Sequence, residues 1–450
     1  MKLANLSILF SLRSVTAIVL AAISLVSQTQ AQMGHVLESV GPVNQSMGGA
    51  ATAMPLDGMS AIQWNPASIS GLSGSEIGFA FTVIAPNTDL SSSVDAGAFG
   101  PFGPGAQLSG TSESQTDISP MPSFGFIHKS DDSPWTFGLG GSAIAGFGVD
   151  YAASSFDPDN TNPILTPQPG TGNGYGFSAL YSSFQMLQIS PVASYQISPK
   201  WSVAIAPNFN WTSLGVSPWP ATTPNADQTY PSGAHADARW GLGISAGAYW
   251  EDCCSGWKFG VSYKSTQWID HYNINTMDEN GFPRLIRFDM DYPAILSLGL
   301  GYSGIEHWDF AWDVRMIDYA NTDGFEVSGY DQFGAVRGFG WNSILTTSVG
   351  AQCQLTDHLR WRVGYTFNES PIGGDVAFFN AVSPAIVKHH LSTGISVDFD
   401  ERWSMALAYT HGFSNDLTGP WQGPQGPIPG TSVTHSLSTH FASFGLQASF

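Results

Sequence analysis

The residues of this sequence that could do chemistry are few and scattered. Six charged side chains fall on the polar positions of alternating segments: Lys258, Lys264, Asp309, Asp313, Arg315 and Arg362. Because buried charges must be paired, we expect these groups to pair with one another, or one of the cations to bind a ligand carboxylate. No nucleophile, metalloprotease or phosphate-loop motif accompanies them. The sequence therefore predicts neither an enzyme nor a cofactor.

The remaining polar candidates have structural explanations. Adjacent strand residues face opposite sides, so the side chains of His389 and His390 are not expected to bind one metal ion together. Asp57 and Asn65 are expected to cap short helices or tie turns, and His35 to be a polar residue of the N-terminal segment. Three cysteines lack metal-type spacing and allow at most one disulfide: Cys253, Cys254 and Cys353. We predict no metal.

The composition excludes several classes of protein. Charged residues are 11% of the 450-residue chain, against about 25% in soluble domains. The chain holds 15 Trp, 28 Phe and 14 Tyr, which excludes disorder. A net charge of −20 argues against a nucleic-acid partner. With 50 Gly and no long apolar run, the chain is typical of an all-β transmembrane barrel.

The first residues form a predicted export signal, so residues 1–31 are assigned to a signal peptide. Lys2 and Arg13 precede the apolar run Ser14–Val26, and Thr29-Gln30-Ala31 has small residues at the positions that a signal peptidase reads. The mature chain would begin at Gln32. The alternative is an uncleaved N-terminal anchor.

A hairpin unit recurs in which a short polar turn is followed by Trp and then by strict alternation. The Trp residues are Trp135, Trp201, Trp257, Trp308, Trp361 and Trp403. After Trp308, apolar side chains share one face of the strand, whereas Asp309, Ala311, Asp313 and Arg315 share the other. A soluble sandwich also alternates, but Trp at the same site of each hairpin favours a barrel whose apolar face contacts lipid.

Fourteen strands are predicted, in an antiparallel transmembrane β-barrel. Their spans are 76–85, 119–129, 135–148, 184–197, 201–214, 236–250, 257–270, 287–302, 308–320, 341–355, 360–369, 387–399, 403–412 and 438–450. Short and long connections alternate, which places both termini in the periplasm. The final alternating strand ends at Phe450, a signal for the outer-membrane assembly machinery. A closed barrel leaves no unpaired edge, so we expect a monomer.

Residues 32–74 do not alternate and are rich in Gly and small residues. A lumen bounded by fourteen strands is wider than side chains can fill. We therefore assign 32–74 to an N-terminal hatch, a plug inside the lumen, and 75–450 to the barrel.

The hatch carries a specific resemblance. Its pattern is Ser46-Met47-Gly48-Gly49-Ala50, Asp57, Ser60-Ala61 and Asn65-Pro66-Ala67. This pattern resembles the hatch of the FadL/TodX (OmpP1) family of outer-membrane transporters for long-chain fatty acids and other hydrophobic molecules. The resemblance covers essentially the whole chain. It implies that Gly48, Gly49, Asp57, Asn65, Pro66 and Ala67 hold a gate.

The resemblance also implies a path. Outer loops catch the ligand, an apolar lumen pocket receives it, and it leaves sideways into the membrane beside a kinked third strand, without an energy source. The glycines of the predicted third strand suit such an opening, although they would equally ease barrel curvature: Gly138, Gly140, Gly141, Gly146 and Gly148. Apolar loop residues, which we expect to be exposed, suit the capture of ligand, or ordinary loop packing: Phe99, Phe102, Ile164, Leu165, Leu180 and Tyr181.

The sequence therefore predicts passive transport of a hydrophobic small molecule, a fatty acid or a hydrocarbon, across the outer membrane of a Gram-negative bacterium. Outer-membrane lipid is the other expected partner. Two alternatives remain at this point. One is a porin for small polar solutes, open or plugged, and the other is a barrel enzyme or adhesin that acts through its outer loops.

Overall fold

Alternating residues and polar turns build one antiparallel sheet that closes on itself. The computed structural model describes residues 33–450, except 117, 158, 172 and 173, and of the side chains of Phe102 and Gly170 nothing is said. The barrel strands are β1 (Glu76–Val94), β2 (Ser119–Lys129), β3 (Trp135–Tyr151), β4 (Leu180–Ser198), β5 (Trp201–Ser217), β6 (Gly233–Asp252), β7 (Trp257–Lys264), β8 (Ala294–Ile305), β9 (Trp308–Asp318), β10 (Ile344–Thr356), β11 (Leu359–Asn368), β12 (His389–Asp398), β13 (Trp403–Gly419) and β14 (Thr431–Ser449). The predicted fourteen-stranded barrel is confirmed.

The barrel closes at β1. This strand pairs with β14 along its whole length, from Glu76 opposite Ser449 to Val94 opposite Thr431. Its other edge pairs with β2, from Glu76 opposite Ile127 to Ile84 opposite Ser119. Every other strand pairs antiparallel with its neighbours in the chain. Tight turns lie at one end, which we call the short-turn end, and long loops lie at the long-loop end.

The structure corrects several predicted boundaries. β1, β13 and β14 run about seven to nine residues further towards the long loops than expected, because their Ser- and Thr-rich ends still exchange backbone hydrogen bonds. β7 ends at Lys264 rather than at 270, and β8 begins at Ala294 rather than at 287. The intervening chain forms a separate hairpin, Tyr272–Met277 with Pro283–Phe288.

The long loops carry further short elements. Two strands extend the barrel wall, Leu108–Glu113 on β1 and Trp268–Ile269 on β6. A small hairpin joins Gln422–Gly423 to Gly426–Pro427. Five 3-10 helices complete the described loops: Gly100–Phe102, Pro163–Leu165, Pro169–Thr171, Tyr319–Asn321 and Gly374–Asn380.

The two faces of the wall differ as the alternation predicts. On β9, Trp312 and Met316 are exposed on the outside, whereas Asp313 and Arg315 are buried inside. Trp residues at the starts of β3, β5, β7 and β13 are likewise exposed. Such a surface is stable where lipid covers it, because lipid replaces water around the apolar side chains.

The hatch fills the lumen. Its described part, residues 33–74, contains α1 (Gly41–Ser46), α2 (Gly58–Trp64) and a 3-10 helix, Pro66–Gly71. α1 packs against β12, β13 and β14, and α2 packs against β2 and β3. In the described part of the chain, no helix has the length and apolar character needed to cross a membrane. The predicted signal peptide, 1–31, and Gln32 lie outside the described residues.

Candidate transport path and hatch

A break in the wall lies between β2 and β3. Their pairing runs from Lys129 opposite Thr136 to Ser123 opposite Ser142 and stops there. Beyond Ser142, β3 pairs with β4 alone, and its register with β4 shifts between Ala143 and Ala145. A bulge of this kind bends a strand and frees one of its edges. The long-loop half of β3 therefore separates from β2 while it stays paired with β4.

The hatch covers the free edge of β3. The Leu37 amide donates to the Ile144 carbonyl over 3.0 Å, and the Gly146 amide donates to the His35 carbonyl over 3.1 Å. Val36 and Ala145 form the antiparallel bridge between these bonds. The N-terminal end of the hatch thus replaces β2 as the partner of β3.

A cavity of about 340 Å³ opens at the break. Buried Phe147 and Phe184 line it from the lumen side, and the exposed side chains Ile118 and Leu187 line it from the outer side. Apolar side chains of the lumen and of the lipid-facing surface therefore meet at this cavity, together with polar residues such as Gln115 and Gln185. Of the five predicted glycines, Gly146 and Gly148 line this cavity, whereas Gly138, Gly140 and Gly141 lie in the paired half of β3.

The body of the hatch, which is residues 39–74, is fixed by a buried ion pair. Arg315 Nη2 lies 2.6 Å from Asp313 Oδ2 and donates to the Gly49 carbonyl over 2.6 Å. Asp313 Oδ2 accepts from the amides of Ala51 and Thr52, at 2.8 and 2.9 Å. The Arg315 guanidinium also lies 3.8 Å above the ring of Trp64 in α2. Because these charges are completely buried, removing either partner would leave the other uncompensated.

The predicted hatch residues occupy turns and caps. The Asp57 carboxylate accepts from the Ser60 amide over 2.9 Å and so caps α2, as expected. Asn65 Nδ2 donates to the carbonyls of Thr52 and Ala248, at 2.8 and 3.1 Å, which ties the hatch to β6. Asn65 Oδ1 caps the 3-10 helix through the amide of Ala67.

The other predicted hatch residues shape the backbone. Pro66 is the first residue of the 3-10 helix, where its missing amide costs nothing. Gly48 and Gly49 have φ of +64° and +79°, a conformation that favours glycine. The structure brings these residues together in the hatch body, although none is near the break.

A belt of inward-facing glycines receives the hatch body. A Cβ atom on any of these glycines would fall within 3 Å of hatch atoms. Because glycine has no Cβ, the hatch can approach the backbone of the wall. The belt consists of Gly125, Gly140, Gly247, Gly260, Gly299, Gly350, Gly364, Gly394 and Gly445. The hatch body therefore sits in a groove that belongs to the barrel wall itself.

The hatch tip, which is Met33–Leu37, makes a different kind of contact. The His35 imidazole is completely buried among five aromatic side chains, with ring centroids 4.8 to 6.0 Å away, and we call this group the aromatic cage: Phe184, Tyr292, Tyr319, Phe325 and Trp341. Tyr319 Oη donates to the Met33 carbonyl over 2.8 Å and accepts from the His35 amide over 3.0 Å. The tip is thus held mainly by apolar contacts and by backbone hydrogen bonds.

One acidic group lies between body and tip. Glu38 Oε2 is 3.3 Å from His390 Nδ1, and its carboxylate oxygens have no hydrogen-bond partner among the described residues. Burial raises the pKa of Glu38 to about 8, and the nearby Arg315 partly offsets that rise. Docking of the tip therefore favours the protonated carboxyl.

Of the six charged residues that were predicted to pair with one another, Asp313 and Arg315 do so, and the remaining four have other partners. Lys258 pairs with Glu251 at 3.0 Å, and Lys264 donates to Gln188. The side chain of Asp309 accepts from Gln352. Arg362 donates to Gln352 and Ser396. Lys264, Asp309 and Arg362 have neutral partners because the inner wall is rich in amides and hydroxyls. His389 faces outwards and His390 inwards, as expected.

The expected exposure of several loop residues was wrong. Ile164, Leu165 and Leu180 are buried in the core beneath the loops, because the loops fold over the barrel mouth. Phe99 stacks on Tyr175 and lies beside Trp421. Tyr181 is half-buried and lines the cavity. The side chain of Phe102 lies outside the described residues. Other apolar side chains of the described long loops are exposed, among them Phe156, Phe282 and Phe333.

Metal-binding chemistry is not evident in the described residues. They contain no group of three or more His, Cys, Asp or Glu side chains arranged to hold a metal ion. Cys253, Cys254 and Cys353 are free thiols.

Comparison with known families places this geometry in context. The model of one family, described as outer membrane protein transport protein (OMPP1/FadL/TodX), matches residues 20–449. The chain belongs to this family. A search of curated proteins finds no match. The family comprises outer-membrane transport proteins, in agreement with the barrel and the hatch.

Solved structures of the OMPP1/FadL/TodX family share the fold. The Pseudomonas putida toluene transporter TodX is 18% identical, with a TM-score of 0.64, over 92% of this chain and 99% of TodX. The Ralstonia pickettii toluene transporter TbuX is 17% identical, with a TM-score of 0.62, over 92% and 99% of the two chains. A Pseudomonas aeruginosa FadL homologue is 13% identical, with a TM-score of 0.65, over 93% and 99%.

Sequence reasoning missed the aromatic cage and the glycine belt. The cage residues lie in four separate stretches of the chain, so no local pattern joins them. The belt had a detectable signal, since glycine recurs on the polar face of strand after strand, but that face was interpreted only as polar or small.

Proposed function

We propose that this member of the family carries hydrophobic molecules, fatty acids or hydrocarbons, across the outer membrane by passive diffusion. The observation that carries the proposal is the cavity at the break between β2 and β3, which apolar side chains line from both the lumen and the outer surface. An aqueous porin has no use for an opening towards lipid. The toluene transport named for TodX and TbuX supports the same class of cargo.

The hatch would act as the gate. Its body is held to the wall by charges and close backbone contacts, whereas its tip covers the free edge of β3 through two backbone hydrogen bonds. Withdrawal of the tip would expose that edge and enlarge the cavity. Cargo captured by the outer loops would then pass from the apolar lumen sideways into the membrane, with both chain termini in the periplasm.

Filling the cavity tests this proposal. Thr116 lines the cavity, so Thr116→Trp should obstruct the opening and reduce the transfer of a radiolabelled fatty acid or of toluene into proteoliposomes about tenfold. The matched control is Thr223→Trp, which adds the same ring at an exposed loop position. Equal transfer by wild type and Thr116→Trp would contradict lateral exit.

The rival porin makes the opposite forecast. It predicts ion conductance of the intact chain in planar bilayers and no dependence on the cavity at the break. A barrel enzyme or adhesin would be detected as lipid hydrolysis or receptor binding by the purified chain. The proposal expects low conductance with the hatch in place, because the hatch body fills the glycine belt.

A further inference from the structure

The aromatic cage is shaped for one flat ring. The His35 imidazole stacks on Phe325 with a centroid distance of 4.8 Å and an interplanar angle of 9°. Phe184 and Tyr292 meet the imidazole edge-on, at 5.7 and 5.6 Å. Stacked and edge-on contacts together are the arrangement that aromatic rings prefer. The space that His35 occupies would therefore suit another single ring.

The polar atoms of the cage are not equally satisfied. Trp341 Nε1 donates to Asn380 over 2.6 Å, and Tyr319 Oη donates to the Met33 carbonyl. By contrast, Tyr292 Oη and both ring nitrogens of His35 are buried without a hydrogen-bond partner among the described residues. Leaving such atoms unpaired costs free energy. The cage thus retains one hydroxyl donor that its present occupant does not use.

The surroundings of Tyr292 strengthen this point. Burial raises the pKa of Tyr292, so its hydroxyl keeps a proton to donate. The Arg315 guanidinium is close enough to oppose that rise, and Arg315 Nε and Nη1 also have no hydrogen-bond partner among the described residues. A bare hydrocarbon ring would leave the Tyr292 hydroxyl unpaired, whereas an oxygen substituent on the ring could accept from it.

We propose that the aromatic cage binds a single aromatic ring that bears a hydroxyl group, a ligand of the phenol class, and that His35 fills the cage when no ligand is present. This proposal rests on the transport function proposed above and narrows its cargo. The Tyr292 hydroxyl selects the oxygen substituent, and the ring faces select an aromatic. His35 acts as a tethered competitor, so its departure couples occupancy of the cage to withdrawal of the hatch tip.

The test uses two probes that differ by one hydroxyl, p-cresol and toluene. Their dissociation constants are measured on the full chain in detergent, by titration calorimetry for p-cresol and by headspace partition for toluene. In Tyr292→Phe, the ratio of the toluene constant to the p-cresol constant should fall about tenfold, because the donor is lost. In Tyr151→Phe, which removes an equally buried and unpartnered hydroxyl outside the cage, the ratio should stay unchanged.

Two substitutions of His35 test whether its ring competes with the ligand for the aromatic cage. His35→Ala empties the ring-sized space, so both probes should bind about tenfold more tightly, since the competing state is removed. His35→Phe keeps the space filled with a ring that has no unpaired nitrogen, so both probes should bind more weakly than to wild type. Equal affinities of the Ala and Phe variants would overturn the role of His35.

The outcomes separate this inference from the transport proposal. If both probes bind but Tyr292→Phe leaves their ratio unchanged, selection of the phenol class is wrong and hydrophobic transport still stands. If neither probe binds to any variant and proteoliposomes take up neither fatty acid nor toluene, both proposals fail together. The heat-induced shift of the barrel on electrophoresis verifies that each variant is folded.

Discussion

The hatch body and the hatch tip are held in the same lumen by different kinds of interaction. The body is fixed by a buried ion pair, by amide hydrogen bonds to Asp313 and by the glycine belt. The tip packs the His35 imidazole, whose two nitrogens have no hydrogen-bond partner among the described residues, into an aromatic cage, and the buried Glu38 carboxyl lies behind it. Charge-assisted contacts are strong and directional, and they hold the body although Arg315 Nε and Nη1 also lack partners among the described residues. The tip is held by apolar contacts and uncharged hydrogen bonds, and its unpaired buried polar atoms carry a cost. The comparison indicates a fixed body and a displaceable tip.

This difference suits the break beside the tip. The tip covers the edge of β3 at Ile144 and Gly146, while the body fills the groove of the glycine belt. Movement of the tip would open a path towards lipid and leave the lumen closed to water.

The largest effect should come from removing the whole hatch. Deletion of residues 33–72 should leave a barrel that folds but conducts ions at least tenfold better in planar bilayers, because a fourteen-stranded lumen is wide enough for water. Single-channel recording measures the change. Unchanged conductance would mean that the hatch does not close the lumen.

The next effect tests the anchor of the body. Asp313→Ala leaves the Arg315 cation buried without its partner, which costs about 3 kcal/mol. At fixed pH, hydrogen exchange of the amides of Ala51 and Thr52 should accelerate about a hundredfold. Asp309→Ala, on the same strand, is the control, since Asp309 accepts from Gln352 of the wall. Similar exchange in both variants would show that the ion pair does not hold the body.

A smaller effect is expected at the glycine belt. The Cβ of Gly364→Ala would meet the backbone of Gly48, so the hatch body must shift, at a cost of about 1–3 kcal/mol. Faster proteolysis of the hatch in folded protein should report this shift. Gly105→Ala is the control, because open space surrounds Gly105 in its loop. Equal protease resistance would show that the close approach at Gly364 is unimportant.

The smallest effect is a pH dependence of the tip. The pKa of Glu38 is about 8 when the tip is docked, against about 4.5 when it is free, so the docked state binds more protons between those values. Docking should therefore weaken as pH rises from about 5 to 8 and level off above 8. His390 and Arg315 face this carboxyl, and the charge of Arg315 limits the change.

Distances between spin labels on the tip and on β4, measured by electron paramagnetic resonance, would report the fraction of molecules in which the tip is displaced. Glu38→Gln should abolish the slope, since glutamine does not titrate. A slope that persists in this variant would assign it to another group.

The barrel could be predicted from the sequence because lipid and lumen impose a period of two on every strand. The six Trp hairpins gave the strand count, and β2 was predicted with its observed bounds. The long-loop ends of β1, β13 and β14 were not predicted. Their outward side chains are mostly polar, so the apolar alternation stops before the strands end. Strand pairing there depends on backbone bonds that no side-chain pattern reports.

The candidate site could be predicted only in part. Asp57 and Asn65 cap helices as expected, since capping is a local property of the chain. The resemblance implied an opening beside the third strand, and its glycines fitted either that opening or barrel curvature, whereas the position of the break at Ser142 depends on the register with β2. The aromatic cage depends on contacts between residues as distant as Phe184 and Trp341, which only the closed barrel brings together.

The central claim is that the tip moves while the body stays. Val36 and Ala145 form an antiparallel bridge without direct hydrogen bonds between them, a geometry that brings their Cβ atoms close enough for a disulfide. Val36→Cys with Ala145→Cys would therefore lock the tip. For the body, the Cβ of residue 140 would lie 3.4 Å from Cβ of Ile62, so Ile62→Cys with Gly140→Cys gives the matched lock.

Transfer of a fatty acid or toluene into proteoliposomes is the deciding measurement, with the three native cysteines replaced by serine. Oxidation of the tip lock should reduce transfer at least tenfold, and reduction should restore it, whereas the body lock should leave transfer unchanged. Transfer that continues through the tip-locked protein, or that stops equally when the body is locked, would contradict the account.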